Sequence, residues 1–314
     1  VTLHILRRIG FILLTLLIAS VVIFGATQLL PGDVAQIMLG QFATEEALAN
    51  LREEMGLNRP GYIQYFEWLG NFVIGDWGTS MVSKQPVFPL VISRVRNSGM
   101  LALIAFLFYV PLGIFLGVVA ALKQEKATDQ VITGISMAFV GLPEFVSGLI
   151  LISIFSFSLE ILPANSSIAP NSSFAQAFQY LILPAVTVSL TGLGYVIRMT
   201  RASTIDVLST DYVRAADLKG LPSRTVLTQH VLRNSLLPTI TVVAMGIGYL
   251  IGGLIVTEAV YGYPGLGRLL IYSIQRRDVI LLQSCSMIIV MVFSLANLIA
   301  DILYSLLNPR IRFR

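Results

Sequence analysis

The chain has 314 residues, of which 55% are hydrophobic and only 12% charged, about half the charged share of an ordinary soluble domain. That composition excludes a pair of soluble domains, and the apolar residues come in long runs that mark a polytopic membrane protein lying in a lipid bilayer. A formal net charge of +4 does not point to nucleic acid as a partner, because membrane proteins keep Lys and Arg in cytoplasmic loops for topology.

His4, Arg7 and Arg8 precede an apolar run over residues 9–30, which spans roughly 33 Å as a helix and crosses a hydrocarbon core. It is longer than a signal-peptide core and stops at Pro31-Gly32-Asp33 rather than at a small-residue cleavage site, so an uncleaved first transmembrane helix is expected. A polar excursion follows over 31–99. Thr44 can cap a helix with Glu45 and Glu46 in its first turn, Gly56 as its stop and Pro60 just beyond. Tyr62, Tyr65, Phe66, Trp68 and Phe72 suit a segment at the headgroup level or packed on its neighbours. Gly75-Asp76-Trp77-Gly78 reads as a turn. Such an excursion can cap the membrane helices or offer a docking surface, and the two roles can coexist.

Further spanning runs lie at about 100–122, 131–159, 177–199, 239–256 and 281–307, which makes six. Pro111, Pro143 and Pro184 fall within or near the ends of these helices, where kinks are expected. With the N-terminus inside, Lys123, Lys126, the loop from Arg198 to Arg233, and Arg310, Arg312 and Arg314 are cytoplasmic. The opposite loop, 160–176, carries no Lys or Arg. Arg268, Arg276 and Arg277 in the last outer loop are a weak violation. Both termini are therefore expected inside. Asn165-Ser166-Ser167 and Asn171-Ser172-Ser173 match a glycosylation pattern that short Asn/Ser-rich turns often produce. Cys285, the single cysteine, allows no intrachain disulfide, and with only His4 and His230 no metal-ligand cluster is visible.

The longest polar interruption in the second half, residues 211–238, reads as two short helices folded back at Gly220, with Leu237-Pro238 returning the chain to an apolar run. Ala215 and Ala216 are small enough to let another surface approach the helix backbone. Gly220 supplies a left-handed corner, and Ser223 can cap the returning helix. Leu221 and Pro222 sit at the apex, where an exposed leucine is costly unless a groove receives it. The alternative is an amphipathic loop lying on the bilayer, helped by Arg214, Lys219, Arg224 and Arg233.

Ala-Ala, three residues, Gly, then Leu-Pro seventeen residues later resembles the "EAA" loop of ABC-importer permeases. Pro31-Gly32-Asp33, Thr257-Glu258-Ala259-Val260-Tyr261, Pro264-Gly265-Leu266-Gly267-Arg268-Leu269, Arg277-Asp278 and Asn308-Pro309-Arg310-Ile311-Arg312 extend the likeness. Together they resemble the first permease subunit of the dipeptide/oligopeptide/nickel importer family over nearly the whole chain. Arg214 stands where the general pattern has glutamate, and Asp217-Leu218 replace the Arg-Ala usual before Lys-Gly in this branch.

The expected fold is thus an all-α polytopic membrane protein with six transmembrane helices. The resemblance adds the type I ABC-importer permease fold, with 1–30 as N-terminus and first helix, 31–99 as a helical periplasmic excursion, and 100–314 as a five-helix core carrying a cytoplasmic coupling loop at 202–236. It implies a bacterial inner membrane, a second homologous permease subunit, two ATPase subunits or domains, and a periplasmic substrate-binding protein. The coupling residues it implies are Arg214, Ala215, Ala216, Asp217, Lys219, Gly220, Leu221 and Pro222.

No GxxxxGK[ST] occurs, so the chain binds no ATP through a P-loop. It is expected to be no enzyme and to carry no cofactor, with ATP and Mg2+ on the partner ATPases. Glu144, the one acid deep inside a span, directly follows Pro143 about midway along the third helix. It either lines the substrate path, pairing with a cationic group such as a peptide amine, or locks two helices. Asn297 and Asp301 suit interhelical hydrogen bonds. Glu258, Pro264, Gly265, Gly267 and Arg268 are candidates for an outer gate or receptor-docking surface, with a structural hairpin equally open. A stand-alone secondary transporter or channel is the competing class, but no clear internal repeat supports it. An intramembrane enzyme lacks paired catalytic residues. Peptides, glutathione and nickel chelates all remain possible cargoes.

Overall fold

The computed structural model describes residues 2–29, 36, 43–54, 56, 58–167 and 174–307. The Pro31-Gly32-Asp33 motif, the second Asn-Ser-Ser, and the Asn308-to-Arg314 tail lie outside them. The described residues form helices α1 (Thr2–Gln28), α2 (Glu45–Glu54), α3 (Gly61–Ile74), α4 (Val87–Leu122), α5 (Ala127–Gly141), α6 (Glu144–Leu151), α7 (Phe174–Leu208), α8 (Asp211–Leu218), α9 (Leu232–Val260), α10 (Leu266–Gln275) and α11 (Val279–Leu307). Two π-helical stretches, Ile152–Ser158 and Val226–Val231, extend α6 and lead into α9. Among the described residues, five helices are long and apolar enough to cross a membrane, or six when α5 and the α6 segment count as one bent span. The expected all-helical membrane architecture is borne out.

Contacts divide the chain into two compact units, Val1–Ser98 with Gly265–Leu295, and Gly99–Pro264 with Ala296–Arg314.

In the first unit the aromatics of α3 lie against α1. Ser20 and Tyr65 share a hydrogen bond of 2.8 Å, and the Phe24 ring meets both Tyr65 and Trp68. Gly75, at φ +88°, closes α3, and Trp77 then stacks on Phe72 at 4.9 Å while its indole N–H donates to the Phe72 carbonyl. Both rings join a core with Val87, Val91, Leu266, Leu269, Leu281 and Cys285. Tyr65, Trp68 and Phe72 therefore serve as packing, whereas Tyr62 and Phe66 are exposed. Thr44 caps α2 as expected, its Oγ1 accepting from the Ala47 N–H. Asp278 is buried at the start of α11, where it accepts the Leu281 N–H. It also accepts the Ser80 hydroxyl at 2.5 Å and the Val82 N–H.

Two boundaries differ from the sequence reading. Helix α4 begins at Val87, inside the expected polar excursion, because Arg94, Arg96, Asn97 and Ser98 lower the hydropathy of its first turns without interrupting it. The third span is broken rather than kinked: α5 and α6 meet at 113°. Leu142 is held extended at ψ 131° by the proline after it, which excludes the helical region for the preceding residue. Pro143 then starts α6 without needing a donor. Pro111 and Pro184 sit inside continuous helices.

The second unit is built round α7. Bare backbone at Gly117 and Gly194 lets α4 and α5 approach α7 closely, since a Cβ at either would fall within about 2.6 Å of Thr200 or of the Ser136 carbonyl. Small residues are the usual means of tight helix contact in lipid. Ser189 reaches the Ala105 carbonyl, and Thr187 shares a 2.8 Å hydrogen bond with Tyr261.

Candidate functional site

The 211–238 region is a hairpin of unequal arms. Helix α8 ends in paired corner bonds, Gly220 N–H to the Asp217 carbonyl at 2.9 Å and Leu221 N–H to the Ala216 carbonyl at 3.4 Å. Gly220 adopts φ +75°, the left-handed conformation this closure requires and that glycine takes without steric cost. The returning arm is no separate short helix. From Ser223 it runs through Val226–Val231 into α9 as one 38-residue helical span to Val260. Pro238 lies inside α9 and marks no junction. Pro222, not Ser223, occupies the cap position, with no side-chain cap bond.

Val213, Ala216, Val226 and Val231 form a small buried core between the arms. Asn234 donates to the Tyr212 hydroxyl at 3.0 Å and clasps them together. Ala216 is thus spent on the hairpin itself. Arg214, Ala215, Asp217, Lys219, Gly220, Leu221 and Pro222 are exposed. Leu218 is 82% exposed and Leu221 38%, so the corner carries two uncovered leucines.

Beside the hairpin base lies an ion pair the sequence reading missed. Arg201 on α7 grips Asp129 on α5 with both arms, Nε at 2.5 Å and a terminal nitrogen at 2.7 Å. Asp129 is 3% exposed, and it also accepts the Glu125 N–H and the Thr133 hydroxyl. This bidentate geometry is the strong form of such a contact. Ser203 to the Ser235 carbonyl and Thr200 to Thr239 continue the polar joinery between α7 and α9.

Glu144 is not mid-helix. It is the first residue of α6, set at the bend, and accepts the Thr257 hydroxyl at 3.1 Å. Its carboxylate lies where a Cβ on Gly253 would come within 2.5 Å. It faces a cavity of about 500 Å³ in the second unit, walled also by Tyr109, Tyr195, Met245 and Tyr249. Among the described residues no three His, Cys, Asp or Glu side chains converge as metal ligands.

The outer candidates separate. Glu258 is fully buried in the last turn of α9, and Pro264 follows shortly after. Tyr261 caps that helix. Its hydroxyl donates to the Gly148 carbonyl at 3.1 Å, and burial pushes the phenol up to about 12, against the pull of the Thr187 bond. Burial likewise pushes Tyr263 up to about 12, the Glu258 charge adding to it. In the first unit, Gly265 precedes α10, the Leu266 N–H donates to the Ser98 hydroxyl at 2.8 Å, Gly267 is buried and Arg268 exposed. Asn297 and Asp301 lie one turn apart on α11.

Residues 113–313 match the family described as binding-protein-dependent transport system inner membrane component, and residues 1–105 match the corresponding N-terminal family. The chain is 35% identical over 310 residues to a probable peptide ABC transporter permease protein of Sinorhizobium fredii, covering 99% of each chain. It is 35% identical over 311 residues to the glutathione transport system permease protein GsiC of Escherichia coli, again over 99% of each. Among solved structures, an inward-facing methionine ABC transporter chain superposes with a TM-score of 0.58 at 15% identity, covering 71% of this chain and 98% of that one. An amino acid ABC transporter chain superposes at 0.50 and 20% identity, covering 71% and 94%.

Proposed function

The chain belongs to the family of binding-protein-dependent transport system inner membrane components, and from that premise we propose that it is a membrane-spanning subunit of an ATP-driven importer for peptides or related small solutes. The observation that carries this reading is end-to-end similarity to peptide and glutathione permease proteins, joined to an exposed hairpin built for a partner's grip. The Lys and Arg distribution supports a reading with the hairpin and both termini in the cytoplasm and the 31–99 segment outside.

In this reading ATP is hydrolysed on separate ATPase subunits whose groove receives Leu218 and Leu221 at the Gly220 corner, with Arg214, Asp217 and Lys219 as polar rim and Ala215 allowing close approach. Their closure carries the hairpin with it and switches the spans between outward-open and inward-open states. A second, homologous permease completes the path. A periplasmic binding protein delivers solute, and Gly265, Gly267 and Arg268, with Glu258 and Pro264, belong to the outer gate or the surface it meets.

Affinity purification from native membranes is expected to bring a second permease chain and ATPase chains in fixed ratio. The reconstituted complex, given its binding protein, should accumulate peptide only with ATP. Recovery of this chain alone, with uptake driven by an ion gradient, overturns the reading in favour of a stand-alone carrier.

A further inference from the structure

Within the second unit, the cavity beside Glu144 combines features that packing alone does not account for. Glu144 Oε1 accepts one hydrogen bond, from Thr257, and no described residue bonds Oε2 or brings a cation to the carboxylate. Glu144 is half-buried, and a carboxylate partly withdrawn from water is costly unless a charge or several donors compensate it. Tyr109 is 1% exposed, yet its hydroxyl has no hydrogen-bond partner, and it points at Gly246 on the same cavity wall. Buried polar groups in this state are uncommon and call for an explanation; the hydroxyls of Ser156, Thr204 and Ser235 share it, but Tyr109 is the one on this cavity wall.

The wall is shaped for these two groups. Gly253 has no Cβ to collide with the carboxylate, and Gly192 leaves room for the Tyr109 ring, which a Cβ there would meet at 3.2 Å. Tyr195 and Tyr249 add two more rings, whose faces attract cations. A volume of about 500 Å³ falls in the range of small-ligand sites.

We propose that this cavity is a subsite for the protonated amine of a small solute, with Glu144 as counter-ion, Thr257 holding that carboxylate in place, and Tyr109 as a hydrogen-bonding partner for the same solute. The proposal rests on the importer reading for the origin of the solute, and it adds that the path selects positive charge at the α5–α6 bend. Neutral or anionic solutes gain nothing there.

The test needs no knowledge of the natural cargo. In a Cys285→Ala background, Met245→Cys places a thiol on the cavity wall of the full chain in native membrane vesicles. It is reacted with two reagents of similar size, cationic trimethylammonioethyl and anionic sulfonatoethyl methanethiosulfonate. The cationic reagent is expected to react about tenfold faster than its ratio with a free thiol predicts, the low end of electrostatic focusing in a cleft. Glu144→Gln should abolish the preference and Glu144→Asp retain it. L-alanyl-L-alaninamide, a cation, should slow labelling, and its N-acetyl form should not.

A parent without cationic preference overturns the proposal, as does a preference that survives Glu144→Gln or a thiol that no reagent reaches. Should Glu144→Gln fail to fold, the parent's reagent ratio and the pair of amides decide alone. Labelling requires neither ATP nor a binding protein, so its failure leaves the importer reading standing. Absence of ATP-dependent uptake leaves the labelling result standing in turn.

Discussion

Around Gly220 the polar groups close on one another, through the corner bonds and the Tyr212–Asn234 clasp, while Leu218 and Leu221 stand in the open. Around Glu144 the reverse holds. Val188, Val196 and Leu250 are buried, while a phenol and one carboxylate oxygen lack a described partner. Folding by itself favours neither state, since an exposed leucine and a withdrawn polar group both cost free energy. In the proposed reading, an apolar groove completes the hairpin and a cation completes the cavity. The character of the missing chemistry identifies the kind of partner.

The largest expected effect lies at the ion pair between α5 and α7. Arg201→Ala leaves Asp129 buried and unpaired and should lower unfolding stability by about 3 kcal/mol, measured by thermal melts in detergent. Replacing the pair together by Asp129→Leu and Arg201→Met should recover most of that loss, because two well-packed apolar side chains avoid the desolvation cost. A double variant no better than the single one shows that Asp129 matters through its Glu125 and Thr133 bonds instead.

At the hairpin, Gly220→Val meets no neighbour, as nothing lies within 4 Å of a Cβ there. Its cost is purely conformational, about 1–2 kcal/mol for a left-handed residue. ATP-driven uptake and ATPase stimulation should fall about tenfold or more if that strain opens the corner, whereas Gly220→Asn, which tolerates this conformation, should keep most activity. Survival of both functions in the valine variant removes the hairpin from coupling. Leu218→Glu with Leu221→Glu should leave the melting temperature unchanged, with stability within about 0.5 kcal/mol, and abolish recovery of ATPase chains on affinity purification. Smallest of all, Tyr109→Phe should be neutral or stabilising by up to about 1 kcal/mol, since the hydroxyl it deletes is unpartnered. A clear loss of stability would reveal a partner such as a buried water and weaken the cavity's claim.

What the sequence made legible was mostly local. The Thr44 cap, the Gly220 corner and the long apolar runs each rest on residues within a few positions of one another. Pro143 shows the limit: a proline in an apolar run reads as a kink, and only the backbone reveals that Leu142 turned extended and split the span. That error misplaced Glu144, which the sequence set mid-helix rather than at a bend. The Asp129–Arg201 pair was invisible because its partners lie 72 residues apart. An acid in the first turn of one helix and an arginine near the C-terminal end of another were the available signal. Likewise Ala216 looked like a docking residue from its size alone, and its burial against Val226 and Val231 could not be read from spacing.

The helix that leaves the Gly220 corner has a further consequence. From Ser223 to Val260 it is unbroken, about 57 Å at helical rise, and the same rod carries Met245, Gly246, Tyr249 and Gly253 of the cavity wall and, near its far end, Thr257. The corner and the carboxylate's only described anchor thus stand on one continuous helical span. In the proposed reading, a displacement of the Gly220 corner carried along this span also shifts Thr257, and with it the Glu144 carboxylate that Thr257 holds.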